Sequence, residues 1–141
     1  MGDFRVFKLP VHIDDRFSLI EADVAKHVPF SVKRVYTIID GTKPSGSHCH
    51  RVEQEVFFVA RGAAVAQIDD GSGMKDVALS QGEAMYVDAF VWHHFETWEP
   101  GTVVVALSST PYNQNREDYI TDYGEFTREV ATYKPISNSR E

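Results

Sequence analysis

The chain has 141 residues, with 14 basic and 21 acidic side chains and a net charge of −7. This length fits one domain with a sizeable core of its own, and the apolar and charged fractions, 43% and 25%, exclude a disordered chain. The acidic balance argues against nucleic acid or an anionic membrane as partner, but a few local arginines can still hold a phosphorylated small molecule.

The opening segment MGDFRVFKLP carries early charge and no long apolar run. It reads as neither a secretory signal nor a membrane span, so the expected location is cytoplasmic. The single cysteine, Cys49, excludes an intrachain disulfide and suits a reducing compartment. Residues 4–9 and 17–22 read as edge strands within an N-terminal arm over residues 1–30. Exposed strand edges invite another strand, so the arm predicts exchange within a homodimer.

Short runs rich in Val, Ile, Phe, Tyr and Thr follow at 32–39, 55–60, 63–68, 76–79, 84–87, 92–98 and 102–107. Several alternate in polarity, the signature of strands in a sandwich or barrel. Asp69-Asp70-Gly71-Ser72-Gly73 predicts a hairpin turn, and Arg61-Gly62 and Gln81-Gly82 mark two more turns. Past residue 110, Tyr119, Ile120, Tyr123, Phe126 and Val130 share one helical face. The spacing predicts a helix over 116–130, capped by Asn115 and weakened by Gly124. A frayed tail is expected over 135–141. The whole reads as a single domain, 1–141.

The chemistry concentrates in SGSHCHRVEQEVFFVARG, residues 45–62. His48 and His50, two apart on a strand, point to the same side. Cys49 points the other way and reads as a buried outer-face thiol. A later segment, GEAMYVDAFVWHHFE, supplies His93, while its neighbour His94 alternates away and is expected to face solvent. Three imidazoles and the Glu55 carboxylate converging inside a β-fold can bind a divalent metal. Without metal, the same groups can move protons near neutral pH.

These two segments resemble the paired motifs of the cupin family, G-x5-H-x-H-x3-4-E-x6-G and G-x5-P-x-G-x2-H-x3-N. Asp88, Phe90 and Thr97 replace the Pro, Gly and Asn of the second motif, and Gly41 lies one residue from the first Gly position. The resemblance implies an all-β fold, an RmlC-like jelly-roll β-barrel with a short C-terminal helix. DDRFSL, VPFSVKRVYTI, PSGSHCH, YVDAFVWHHF and EDYITDYGEF, in that order, are similar to one cupin branch. That branch is the WxcM-like nucleotide-sugar 3,4-ketoisomerases of deoxysugar and cell-surface polysaccharide biosynthesis.

The resemblance implies a dTDP-4-keto-6-deoxyhexose as substrate. It also implies an intramolecular oxidoreduction that moves the carbonyl from C4 to C3 through an enediol, with no cofactor required. It places the acid and base on His48 and His50, with Tyr36 assisting. Arg16, Arg34, Arg51, Trp92 and His93 fall on candidate substrate-binding positions, Arg16 near the nucleotide phosphates. Three positions depart from the branch: Phe17 for Gly, Arg51-Val52-Glu53 for a basic run, and Glu55 for Gln. Glu55 completes the cupin metal set His48, His50, Glu55 and His93. A metal-dependent cupin enzyme and a non-catalytic sugar-nucleotide binder therefore stand as alternatives.

Overall fold

The computed structural model describes residues 2–112 and 117–133. In chain order its elements are β1 (Phe4–Lys8), β2 (Val11–Ile13), β3 (Ser18–Ile20), α1 (Val24–His27), β4 (Arg34–Ile38), β5 (Cys49–His50) and β6 (Glu55–Arg61). Then come β7 (Ala63–Asp69), β8 (Met74–Ser80), β9 (Glu83–Val87), β10 (Trp92–Trp98), β11 (Val103–Ser108), β12 (Tyr119–Ile120) and α2 (Tyr123–Tyr133). The seven central strands fall where the apolar runs predict them. The turn at 69–73 joins β7 to β8 in register, Asp69 opposite Met74. Among the described residues, no helix is long and apolar enough to cross a membrane.

Two antiparallel sheets face each other. One has the order β1-β9-β6-β11-β4; the other is β10-β7-β8. An isolated bridge between His48 and His93 lays the β12-β5 pair against the free edge of β10, extending the second sheet. Among the described residues the expected barrel is thus seen as two facing antiparallel sheets. Inward residues of both sheets build one core, including Phe57 and Val59 from β6, Ala66 and Ile68 from β7, Met85 from β9, Phe95 from β10 and Val104 from β11. Alternation along each strand explains this set, since every second side chain must face the opposite sheet.

Corners let the chain pass between sheets. Gly62, between β6 and β7, has φ +86°, and an added Cβ would lie 2.9 Å from the Thr102 Cα. Gly62→Ala is therefore expected to cost about 1–3 kcal/mol, read as a lower urea midpoint with unchanged slope. Phe90 also adopts a left-handed backbone, φ +62°. It stands where the cupin pattern has Gly, and its amide still donates to the His50 carbonyl at 2.7 Å.

β1 pairs with β9 of its own chain, at the edge of the five-stranded sheet. The β2–β3 hairpin, with exposed Ile13, Phe17 and Leu19, stands apart as a separate two-stranded unit.

The C-terminal helix is shorter at its start than predicted. Tyr119 and Ile120 form β12, pairing with His50 and Cys49, and the helix begins at Tyr123. Asp122 caps it, its carboxylate accepting from the Gly124 and Glu125 amides at 3.4 and 3.3 Å. The spacing of Tyr119, Ile120, Tyr123, Phe126 and Val130 fits one helix. It fits equally a strand and a helix that bury the same face, and the Asp122 cap decides between them. The cap expected at Asn115, and the tail at 135–141, lie outside the described residues.

Candidate active site

The histidine cluster lies between the two sheets. β5 and the turn before it present His48 and His50, β10 presents His93, β6 presents Glu55 and β4 presents Tyr36. Strand alternation aims the first three from one sheet and the last two from the other. Phe57, on the same face of β6 as Glu55, packs its ring 5.8 Å from that of His93. His50, Glu55 and His93 are buried, while His48 is half-buried.

Each imidazole has its Nδ1 tied to an acceptor. His48 Nδ1 lies 3.0 Å from the Gly46 carbonyl, and His93 Nδ1 lies 2.9 Å from the Val91 carbonyl. His50 Nδ1 faces Asp118 Oδ2 at 3.1 Å and Glu53 Oε1 at 3.4 Å. A carbonyl or carboxylate only accepts, so every Nδ1 carries the proton and every Nε2 points a lone pair inward when neutral. His48 Nε2 and His50 Nε2 are 3.0 Å apart. Two lone pairs cannot face each other at that distance, so a proton lies between them.

The surroundings decide which ring holds that proton. Burial, then the charges of His93 and His50, push His48 down to about 3. Burial also works against a charged His50, but Glu55, Glu53 and Asp118 outweigh it and raise His50 above its ordinary value. His50 is therefore the proton donor and His48 the acceptor of the pair. Glu55 is held well below the usual carboxylate range. Burial opposes this, but the imidazoles of His50 and His93, 3.5 and 3.4 Å away, outweigh it. Tyr36 donates to Glu55 Oε2, and burial together with Glu55 pushes its phenol up, so it stays protonated.

The other predicted residues separate by face. Arg34 stands beside the cluster, donating to Glu53 Oε2 at 2.8 Å with its guanidinium over the Tyr36 ring. Arg51 points outward and clamps α2 through Glu125 and Glu129, 3.0 and 2.5 Å away. Trp92, next to His93 on its strand, also points outward and packs on Tyr123 and Phe126. Neither Arg51 nor Trp92 joins the cluster, because each alternates with a residue that does. Arg16 caps the tip of the β2–β3 hairpin, paired with Asp14 at 2.6 Å. Cys49 is fully buried among Trp92, Ile120, Phe126 and Val130, where burial pushes its thiol up to about 12. His94 alternates away from His93 but is buried rather than solvent-facing, with Nε2 on Glu96 at 2.8 Å.

Sequence reasoning missed Asp118, Tyr119 and Glu53. Asp118 is held by the Val52 and Glu53 amides at 2.7 and 3.1 Å while it faces His50. Tyr119 stacks on His48, ring centroids 4.9 Å apart, and meets His50 edge-on at 4.3 Å. Their signal was the acidic-aromatic pair Asp118-Tyr119, concealed by its helical spacing to Tyr123. Asp118→Asn removes the charge that favours protonated His50. A reaction that needs that proton loses rate as pH rises through the His50 value, so the alkaline limb of kcat is expected to move to lower pH. A pH–rate profile with an unmoved alkaline limb would exclude the role.

His48, His50, Glu55 and His93 each offer one ligand atom within 4.8 Å of the others, as do His50, Glu53 and Asp118, so among the described residues these two groups could hold a metal.

Residues 2–131 match the family described as FdtA: WxcM-like, C-terminal. A TDP-4-oxo-6-deoxy-alpha-D-glucose-3,4-oxoisomerase from Aneurinibacillus thermoaerophilus is 34% identical over 122 residues, 84% of this chain and 86% of that protein. The TDP-quinovose 3,4-ketoisomerase WlaRB of Campylobacter jejuni has the same fold, with TM-score 0.80 and 28% identity, covering 91% of this chain and 99% of that one. The RmlC epimerase of Mycobacterium tuberculosis shares the fold at TM-score 0.69 and 18% identity, covering 84% of this chain and 68% of that one. With nearly its whole length matched, the chain belongs to the FdtA family of WxcM-like cupin proteins.

Proposed function

We propose that the chain is a TDP-sugar 3,4-ketoisomerase, an isomerase that moves the carbonyl of a TDP-4-keto-6-deoxyhexose from C4 to C3 in deoxysugar biosynthesis. The observation that carries this reading is the His48–His50 pair, with Nε2 atoms 3.0 Å apart, burial pushing the proton affinity of His48 down and the neighbouring carboxylates raising that of His50. Its support from relatives is the named oxoisomerase at 34% identity.

The reaction needs only proton transfers. The C3 hydrogen is acidic because the C4 carbonyl stabilises the carbanion as an enolate. His48 Nε2 takes that proton while His50 Nε2–H protonates the carbonyl oxygen, giving an enediol. The O3 proton is then removed and a proton is delivered to C4, leaving the carbonyl on C3. One C–H bond breaks and another forms, so no external electron acceptor enters the balance. General acid–base groups matched in this way contribute about 10²–10⁴-fold each. Tyr36 holds Glu55, and Arg34 holds Glu53, which keeps the two carboxylates that charge His50 in place. Arg16 is the candidate for the substrate diphosphate, through its planar fork of donors.

Supplying the sugar nucleotide with carbon-13 at C4 tests the function. The expected NMR result is loss of the labelled carbonyl signal as the label becomes a carbinol carbon. A labelled carbonyl that stays at C4 through long incubation would sink the proposal.

The proposal includes a homodimer. An isolated two-stranded hairpin is marginal in water, and β2–β3 exposes Ile13 at 68% and Phe17 at 53%. Covering these on a second copy is the expected arrangement. Light scattering should give twice the chain mass for the native protein, and the monomer for Ile13→Asp/Phe17→Asp.

A further inference from the structure

The link between β9 and β10 holds a strained residue beside the histidine pair. Among the described residues other than glycine, Asp40 and Phe90 adopt positive φ, +59° and +62°. A short polar side chain such as Asp tolerates that region, whereas a bulky aromatic one opposes it. His48 and His93 exchange backbone hydrogen bonds of 3.2 and 2.9 Å as an antiparallel pair. Continuing that ladder by two residues would set Val91 against His50. Instead the Phe90 amide donates to the His50 carbonyl at 2.7 Å, so Phe90 and Val91 together oppose His50. Two residues against one, the first of them left-handed, make a β-bulge.

This bulge aims two imidazoles. Its hydrogen bond holds the backbone of His50, whose ring lies 3.0 Å from that of His48. It also turns Val91 into the core, where the side chain is fully buried and the carbonyl meets His93 Nδ1 at 2.9 Å. Bulges recur beside active sites for such re-aiming. Glycine makes a left-handed turn freely; Phe90 makes it with a ring attached. That ring packs against the outer cluster of Cys49, Trp92, Ile120, Phe126 and Val130. The packing offsets the strain and ties the turn to β12 and α2, which carry Ile120, Phe126 and Val130.

We propose that Phe90 is a positioning residue for the isomerisation: its left-handed backbone sets His50 and His93, and its ring holds that backbone against the α2 cluster. The kinetic half rests on the ketoisomerase reading; the backbone half rests on the bulge alone. Backbone and ring make opposite demands on a replacement. Gly keeps the turn and discards the ring. Ala discards the ring, and its Cβ still opposes the turn. Val keeps some apolar bulk, but its branched Cβ opposes positive φ most. If the backbone sets the histidines, activity is highest with Gly, lower with Ala and lowest with Val. If Phe90 only fills space, the loss follows the volume removed and the order reverses.

Steady-state kinetics of the full chain with Phe90→Gly, Phe90→Ala and Phe90→Val, on TDP-4-keto-6-deoxyglucose, test the order. The expected kcat is near native in Phe90→Gly and about 10–100-fold lower in Phe90→Val, the cost of a misplaced acid–base group, with KM nearly unchanged. Amide hydrogen exchange needs no substrate: the residue-90 amide should stay protected in Phe90→Gly and lose protection in Phe90→Val. Thermal melts identify the folded variants, and where Phe90→Val does not fold, Phe90→Ala against Phe90→Gly decides with the same sign. A kcat that is equal in the folded variants, or lowest in Phe90→Gly, overturns the kinetic half. Equal protection of the residue-90 amide in all folded variants overturns the backbone half. A native protein that never turns the sugar nucleotide over refutes the ketoisomerase reading, and the kinetic half with it, while amide exchange still decides the backbone half.

Discussion

Replacing His50 with asparagine is expected to lower kcat for carbonyl migration by about 10²–10⁴-fold, the share typical of a positioned acid–base group. Asparagine keeps a comparable volume and a donor toward Asp118, so the fold should survive. His50 is singled out because three carboxylates converge on it: Asp118 and Glu53 at Nδ1, Glu55 at Nε2. They raise its proton affinity against burial, and no other imidazole in the cluster is so placed. The loss should fall on kcat, with KM nearly unchanged, because the side chain acts on transferring protons and not on the nucleotide. A folded variant keeping more than a tenth of native kcat would remove His50 from the mechanism.

The second large effect concerns stability and lies on the opposite face of the same strands. Phe126 is 1% exposed and packs 5.6 Å from the Trp92 ring, above Cys49 and Ile120. Phe126→Ala removes the centre of this cluster and is expected to cost about 3–5 kcal/mol, seen as a melting temperature lower by roughly 10 °C. The change reaches function through the chain. α2 follows β12 directly, and β12 carries Tyr119 against His48 while Asp118 orients His50. Activity should therefore fade below the global melt, as the Tyr119 and Ile120 amides lose hydrogen-exchange protection. A variant melting within 2 °C of the native protein would show that α2 is dispensable.

Most of the strand order was legible because period-two alternation is a local property. Glu55 and Phe57 on β6, and His93 and Phe95 on β10, alternate inward with little ambiguity. The same rule placed His48 and His50 together and turned Cys49 away. It also explains why Trp92 and Arg51 stand apart from the cluster: each is adjacent to a residue that faces it, and adjacency on a strand means the opposite face. The barrel expectation needed strand partners, which are long-range and have no local signature. Asp118 and Tyr119 were hidden for a related reason. Their register against His50 and Cys49 comes from a pairing across nearly seventy residues, and their local spacing read as helix. The charge state of the two histidines was legible only in outline. It follows from the acceptors at Nδ1, and two of these, the Gly46 and Val91 carbonyls, are backbone atoms.

The central claim is that a neutral His48 and a protonated His50 exchange protons with C3 and C4 of a keto sugar. Incubating the metal-free protein with TDP-4-keto-6-deoxyglucose in D₂O and reading deuterium by NMR tests it most directly. The account predicts deuterium at C3 of recovered substrate or C4 of product, absent in His50→Asn. A protein that binds the sugar nucleotide yet leaves both carbons fully protiated would contradict it.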